Sequence, residues 1–380
     1  MILFLLVYVS IYGGVHLYAF MKLKRGLELD IFANLLLTLL MLLMVAAPIV
    51  VRVLEHNGQG ALARGLAYIS FMWMGLLFLF ITASFFFDIY RLFHCLARNL
   101  SQSLLANLTL SPRGYTFLAI FISLAIAIYG FVEALNIRTE HITIKTGKLP
   151  ANIEKIRVAQ ISDVHLGLIV GKMRLRRILD KVKQARPDML VSTGDLVDGH
   201  MDDPEALAAM FKNIPARYGK FAITGNHEFY AGLDHALAFT EKAGFTILRG
   251  EGQTIEGVFN IAGVDDPARG PYRPDHMVSE KTLLDSLPKN RFTLFLKHQP
   301  IVSKTSLGLF DLQLSGHTHK GQIFPFSLMT KLFYRMHTGL SKLSNNALLY
   351  VSRGSGTWGP PIRFLSPPEV TIIDLVPRGK

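Results

Sequence analysis

Four apolar runs fill the first third of this chain, and each is long enough to cross a bilayer: residues 1–21, 31–53, 66–92 and 115–135. A helix spans the hydrocarbon core with roughly 20 apolar residues. Charges are nearly absent inside the runs, and short charged loops separate them. A soluble core accommodates one such helix, not four in succession. Asp88 lies near the end of the third run, where it can reach the interface. The first run has no basic leader ahead of it and no small-x-small site before Lys22, so it reads as a retained helix rather than a cleaved leader. The expectation for residues 1–137 is an all-α transmembrane region of four helices.

Loop cations give an orientation. Lys22, Lys24 and Arg25 follow the first run, Arg52 and Arg64 the second, and Arg91, Arg98 and Arg113 the third. Cations favour the cytoplasmic side, which places the first and third loops inside. Four spans then leave both the N-terminus and everything beyond residue 137 on the outer face, although Arg138 and Lys145 also lie on that side. The lone cysteine, Cys95, excludes an internal disulfide and reads as an inert core or interface thiol.

From residue 138 the pattern changes. Residues 156–162, 189–193, 221–224, 292–296, 312–315 and 369–375 read as strands. Residues 172–185, 204–212 and 233–243 read as helices. Strands alternating with helices indicate an α/β layered domain over residues 138–380. This part carries +9 of the chain's net +12, which suits lipid head groups, nucleic acid or phosphorylated substrates alike.

The chemistry stands where strands end. The first strand runs into Asp163-Val164-His165, the second into Gly194-Asp195, and the third into Gly225-Asn226-His227-Glu228. Residues 292–296 run into Lys297-His298, and residues 312–315 into Gly316-His317-Thr318-His319. In open α/β sheets the carboxyl ends of strands form the ligand crevice. Seven candidate metal ligands therefore converge on one edge: Asp163, His165, Asp195, Asn226, His298, His317 and His319. Carboxylate, imidazole and amide oxygen without thiolate suit divalent Mn, Fe or Zn. Seven ligands exceed the need of one catalytic ion and suit two ions sharing a bridge. In extended backbone, ligands two residues apart face the same way, as in 163/165 and 317/319. The glycines before Asp195, Asn226 and His317 permit tight turns of unusual φ.

These blocks, DVH at 163–165, GD at 194–195, GNHE at 225–228, His298 and GHTH at 316–319, resemble the calcineurin-like metallophosphoesterase superfamily. The resemblance covers roughly residues 140–376, with all five blocks in the family's order. It implies two mixed sheets flanked by helices, a metallophosphoesterase sandwich. It also implies one ion on Asp163, His165, Asp195 and His319, and a second on Asn226, His298, His317 and the bridging Asp195. His227 would be the catalytic histidine that is not a ligand, stabilising or protonating the leaving oxygen while activated water attacks phosphorus in line. Asn226 would also touch substrate. The flanking segments 317–326 and 350–369 look like the bacterial membrane-associated, YkuE-like branch, among whose relatives are lipid-active enzymes. Lys320 stands where that branch usually shows glycine. The resemblance implies an integral protein of a bacterial cytoplasmic membrane that hydrolyses phosphomonoesters or phosphodiesters, membrane-proximal or lipid-linked. Its partners would be that substrate and membrane lipids, with no nucleic acid expected.

Other features have plainer readings beside functional ones. Arg353 and Arg363 are candidate phosphate clamps for substrate, or else members of structural ion pairs. Asp198 and Glu228 read as partners of ligands or as turn residues. His200, His235, His276 and His337 read as surface residues. The basic run 172–186, with Met173, Ile178, Leu179 and Val182 as its buried face, reads as a solvated helix face ahead of a lipid-head contact. The apolar stretch 324–336 fits a core segment and an amphipathic lip equally. The alternatives to a membrane-held hydrolase are a nuclease of the same fold and a catalytically silent membrane sensor. Four spans argue against the first, and the complete ligand set against the second.

Overall fold

The computed structural model describes residues 2–100, 109–267 and 279–378. The chain divides into two compact units: Met1–Val132 with Gly359–Ile362, and Glu133–Trp358 with Arg363–Lys380.

The first unit is helical. Helices α1 (Ile2–Tyr8) and α2 (Gly14–Leu27) join through a π turn, and α3 (Ile31–His56), α4 (Gly60–Leu100) and α5 (Pro112–Leu135) follow. Among the described residues four helical stretches are long and apolar enough to cross a membrane: Leu5–Leu27, Ile31–His56, Gly60–Ala97 and Pro112–Leu135. Asp30 starts α3 by accepting a hydrogen bond from the Ala33 N–H at 2.8 Å. Ala19, Met41, Leu77, Phe80 and Ala119 pack at the centre, small residues letting the helices approach closely. Most other apolar side chains of α3 face outward, as lipid-facing residues do. Asp88 is not bare: Lys22 pairs with it at 2.5 Å and the Tyr18 hydroxyl donates to it at 2.8 Å. The helices outrun the apolar stretches. Arg52, Arg64 and Arg91 therefore lie on helices rather than in loops, and Cys95 is exposed on α4 rather than buried.

In chain order the second unit comprises β1 (Arg138–Thr146), β2 (Ile156–Ile161), α6 (Lys172–Ala185), β3 (Met189–Ser192), α7 (Pro204–Lys212), β4 (Lys220–Ala222), α8 (Asn226–Ala231), α9 (Leu233–Lys242) and β5 (Thr246–Ile247). Then come β6 (Glu251–Ile255), β7 (Phe259–Gly263), α10 (Glu280–Asp285), β8 (Phe292–Leu296), β9 (Leu312–Ser315), α11 (Phe326–Phe333), β10 (Gly339–Lys342), β11 (Leu348–Val351) and β12 (Glu369–Pro377). One sheet has the order β1-β12-β2-β3-β4-β5, the other β10-β11-β9-β8-β7-β6. Both are mixed: β2, β3, β4 and β5 run parallel, as do β7, β8, β9 and β11.

Period-2 alternation builds the core. Ile156, Val158, Met189, Val191 and Phe221 of the first sheet meet Phe259, Ile261, Phe292, Leu294, Leu312 and Leu314 of the second. Helix α6 buries Leu175, Ile178, Leu179 and Val182. Met173, expected among them, is instead 75% exposed, while Arg174 turns inward to donate to the Thr357 hydroxyl at 2.7 Å.

The five ligand-bearing strands divide between the sheets, β2, β3 and β4 in one and β8 and β9 in the other. The single edge expected from sequence is thus the meeting of two sheets. Hydrogen bonds sew them together there. The His317 N–H donates to both oxygens of Asp163, at 2.9 and 3.1 Å, and the Gln160 side-chain amide donates to the Ser315 carbonyl at 3.1 Å.

Candidate metal centre

The segments after the five strands are not extended. Asp163 (φ 52°), His165 (φ 55°), Asp195 (φ 53°), His317 (φ 71°) and His319 (φ 47°) all adopt left-handed backbone. Non-glycine residues rarely enter this region, and they do so at a cost that surrounding structure must hold in place. Convergence of 163 with 165 and of 317 with 319 therefore comes from tight turns, and not from strand alternation.

One of the three glycines meets the expected need and two meet a different one. Gly194 does take a positive φ, 91°. Gly225 does not; a Cβ there would stand 2.1 Å from Asp195 Oδ1. A Cβ on Gly316 would stand 1.9 Å from Ser162 Oγ and 2.2 Å from Asp163 Oδ2. These two positions exclude side chains by close approach.

The structure brings all seven ligand candidates together in two groups. In the first, His165 Nε2 faces His319 Nε2 at 3.0 Å, His319 Nε2 lies 3.4 Å from Asp163 Oδ1, and His165 Nε2 lies 3.8 Å from Asp195 Oδ2. In the second, His298 Nε2 lies 3.2 Å from Asp195 Oδ2 and 3.2 Å from His317 Nδ1, which stands 3.0 Å from Asn226 Oδ1. Asp195 belongs to both.

This donor set fits metal ions. Ligand atoms about 2.1 Å from one ion stand about 3.0 Å apart at right angles and about 3.4 Å apart at tetrahedral angles. The observed spacings lie mostly in that range. Asp163, His165 and His319, and likewise Asp195, His298 and His317, offer atoms within 4.8 Å of one another. His227 stands within the same limit of His165 and Asp195, but its Nδ1 is held by Asp198. Among the described residues the buried Nδ1 of His165 has no hydrogen-bond partner, the facing Asp198 Oδ1 standing 3.8 Å away.

Neighbouring groups hold the candidate ligands in place. The His298 Nδ1–H donates to the Thr193 carbonyl at 2.7 Å, which leaves Nε2 free to ligate. Glu228 accepts from the N–H groups of Asp195, Leu196, Val197 and Gly225 at 2.6–3.1 Å and so clamps the Asp195 turn. Ser162 donates to Asp163 at 2.5 Å. Burial and the nearby Arg363 guanidinium push the His319 pKa well below its usual value, keeping the ring neutral as a ligand must be. Burial acts the same way on His298, but Asp195 overrides it and raises that pKa well above normal in the metal-free chain.

Asp198 and His227 form a dyad. The His227 Nδ1–H donates to Asp198 Oδ1, and the His227 backbone N–H donates to Asp195 Oδ1 at 2.9 Å. Burial lowers the His227 pKa, yet Asp198 and Asp195 outweigh it and raise it to about 9. Burial favours the neutral form of Asp198, but His165 and His227 hold it well below the carboxylate range. The aromatic rings of Tyr230 and Trp358 flank His227, with centroids 5.4 and 5.9 Å away. From sequence Asp198 reads as a partner of ligands or a turn residue; the side chain it holds is that of His227, with His165 Nδ1 3.8 Å away.

Neither arginine is placed to clamp phosphate. Arg363 is fully buried and donates to the carbonyls of Gly356, Arg353 and His319 and to His319 Nδ1, the last at 3.0 Å. Arg353 is committed to Glu140 and to Glu369, the latter at 2.6 Å. Burial lowers the Arg363 pKa to about 9. Arg363→Met should thus destabilise the domain by roughly 2–4 kcal/mol, because several buried carbonyls lose their donor. Thermal unfolding of the detergent-solubilised chain measures this. A substrate clamp would instead leave stability unchanged and raise KM. Of the other histidines, His235 is exposed, His200 and His337 are half-buried, and His276 lies outside the described residues.

Residues 156–321 match the family model described as calcineurin-like phosphoesterase. A protein of Aquifex aeolicus (strain VF5), named as an uncharacterized metallophosphoesterase, is 38% identical over 262 residues, 68% of this chain and 99% of that one. This chain belongs to the calcineurin-like metallophosphoesterases. A Danio rerio transmembrane protein with metallophosphoesterase domain is 30% identical over 324 residues, covering 82% of this metallophosphoesterase and 74% of the fish protein. The metallophosphoesterase YkuE of Bacillus subtilis (strain 168) is 31% identical over 262 residues, 65% of this chain and 89% of YkuE. The helical first unit, the two mixed sheets and the Asp/His clusters of this metallophosphoesterase agree with those relationships.

Proposed function

We propose that this metallophosphoesterase is a membrane-anchored hydrolase of phosphomonoesters or phosphodiesters that works with two divalent ions. The observation that carries the reading is Asp195, whose Oδ2 lies 3.2 Å from His298 Nε2 in one group and 3.8 Å from His165 Nε2 in the other. Asp163, His165 and His319 would hold one ion, Asn226, His298 and His317 the second, and Asp195 both. Two such ions, Mn, Fe or Zn, supply positive charge for the phosphoryl oxygens and an activated water.

The chain's own residues do the rest. The strained turns fix the ligands before substrate arrives, so little reorganisation is needed during reaction. Asn226, at the start of α8, would touch a phosphoryl oxygen beside its ligand role. His227 carries a proton on its dyad-oriented ring and can release it to the leaving oxygen. Four membrane-length helices support a membrane-proximal or lipid-linked ester ahead of nucleic acid, and the +9 charge of the C-terminal part suits an anionic substrate of either kind. The cations near the ends of the membrane-length helices, more of them after the first and third than after the second, support an outer-face catalytic unit.

The test uses the full 380-residue chain in detergent. After chelation it should not turn over p-nitrophenyl phosphate or its bis-ester, and Mn, Zn or Fe should restore turnover as about two ions bind per chain. Turnover indifferent to chelation, or none with any of the three metals, would overturn the reading.

A further inference from the structure

Helix α11 is built inside out for a soluble domain. Of its eight residues only Thr330 is buried. Phe326, Leu328, Met329, Leu332 and Phe333 are all about half exposed or more, and Leu332 and Phe333 reach 78%. Steps of three and four join Met329 to Leu332 and Phe333, and Leu328 to Leu332, so these residues form one continuous apolar stripe. Lys331 and Arg335, both exposed, flank it.

The helix is firmly mounted. Gly321 packs so closely beneath it that a Cβ would meet the Ser327 nitrogen at 2.3 Å. The Gln322 side chain exchanges two hydrogen bonds with the Trp358 backbone, at 2.8 and 2.9 Å, which ties the base of the helix to the ring beside His227. At its far end the Tyr334 ring rests 5.5 Å from that of His317. The stripe is therefore continuous, through Tyr334, with the wall of the metal cluster. Tyr230 and Trp358 on the His227 side are also more than half exposed.

We propose that α11 is an interfacial lip. Its stripe enters the boundary between head groups and acyl chains of an anionic bilayer, and the ester drawn into the cluster belongs to a lipid of that bilayer. The second clause rests on the phosphoester reading above. A bilayer is the occupant that the chain itself supplies: only Asn136 and Ile137 separate the last membrane-length helix from β1. The charge agrees as well, since exposed cations beside an apolar stripe suit anionic lipid. A second copy fits less well, because a two-fold contact would set Lys331 and Arg335 against their own counterparts.

The experiment has two arms, both on the full chain reconstituted in phosphatidylcholine vesicles containing phosphatidylglycerol. In the first, Leu332→Cys in a Cys95→Ser background carries an environment-sensitive fluorophore. Quenching by doxyl-labelled lipid with protection from aqueous iodide is expected. Access to iodide without lipid quenching would overturn the lip, and so would protection from both quenchers, the result for a second copy.

The second arm compares wild type with the double variant Leu332→Ser, Phe333→Ser. Turnover of vesicle-borne phosphatidic acid should fall about tenfold or more, while turnover of soluble p-nitrophenyl phosphate stays within about twofold. Equal loss on both substrates, or loss on neither, would overturn the presentation of lipid to the cluster. A wild type that turns over only the soluble ester would overturn the lipid substrate. A wild type inert on both would overturn the phosphoesterase reading, while the quenching arm still decides whether α11 enters the bilayer.

Discussion

Replacing Asp195 by Asn should lower phosphoester turnover by about a thousandfold or more and leave the chain holding one metal ion or none. The size follows from position. Other ligand candidates serve one group each, whereas Asp195 faces His298 at 3.2 Å and His165 at 3.8 Å through the same oxygen. An amide keeps the shape but removes the charge, and it turns either an oxygen or an NH2 toward that point. Its other oxygen accepts the His227 backbone N–H at 2.9 Å, so the amide group is held by the same turn as the acid. The loss therefore comes from the site and not from unfolding. Metal analysis, turnover and circular dichroism on one preparation separate these effects. Two ions with full turnover in Asp195→Asn would remove the basis for a shared carboxylate. Glu228 should matter through the same turn, since four backbone N–H groups converge on it, but its loss should be felt as reduced stability as well as reduced turnover.

Residue type made most of this centre legible in the sequence. Asp, Asn and His after apolar strands are visible because strand ends are where a chain can present polar groups. The bounds of α6, α7, β8 and β9 could be read directly, because their apolar periods are strong and their flanks polar. Backbone conformation was not legible. Nothing in the letters DVH or HTH says that Asp163, His165, His317 and His319 are left-handed, since that state is imposed by hydrogen bonds between the turns. The Asp163 N–H reaches the Gly194 carbonyl and the His165 N–H the Asp195 carbonyl, at 3.0 and 2.9 Å.

Charge was misleading where burial decided the role. Arg363 has the chemistry of a phosphate clamp, yet its surroundings make it a brace for carbonyls and His319. Short strands such as β10 and β5 escaped because they are held by pairing rather than by their own pattern. The stretch 324–336 was undecided by composition, since apolar residues at helical spacing look the same facing in or out. Exposure settles its helical part, Phe326–Phe333, as a surface helix.

His227→Ala should lower kcat by about a hundred- to ten-thousandfold while both metal ions stay bound and KM changes little. The ring is hydrogen-bonded to Asp198, outside the seven ligand candidates, so removing it takes away a proton and not a ligand. The pH behaviour follows in sign. In the metal-free chain the His227 pKa is raised to about 9, so the ring stays protonated below that value. Its contribution to metal-free stability is complete below the unfolded pKa of about 6.5 and is lost as pH rises through about 9. Divalent cations bound nearby disfavour the charged ring, so the basic limb of kcat in the loaded enzyme should fall below pH 9. Asp198→Asn removes the partner that raises the pKa. It should move that limb further toward acid and cost about tenfold in kcat, with metal content unchanged. Titration of the His227 ring protons by NMR, beside kcat profiles of wild type and Asp198→Asn, gives both measurements. An unshifted limb in Asp198→Asn would show that the proton in question is not on His227, and loss of metal from His227→Ala would show that the ring is a ligand.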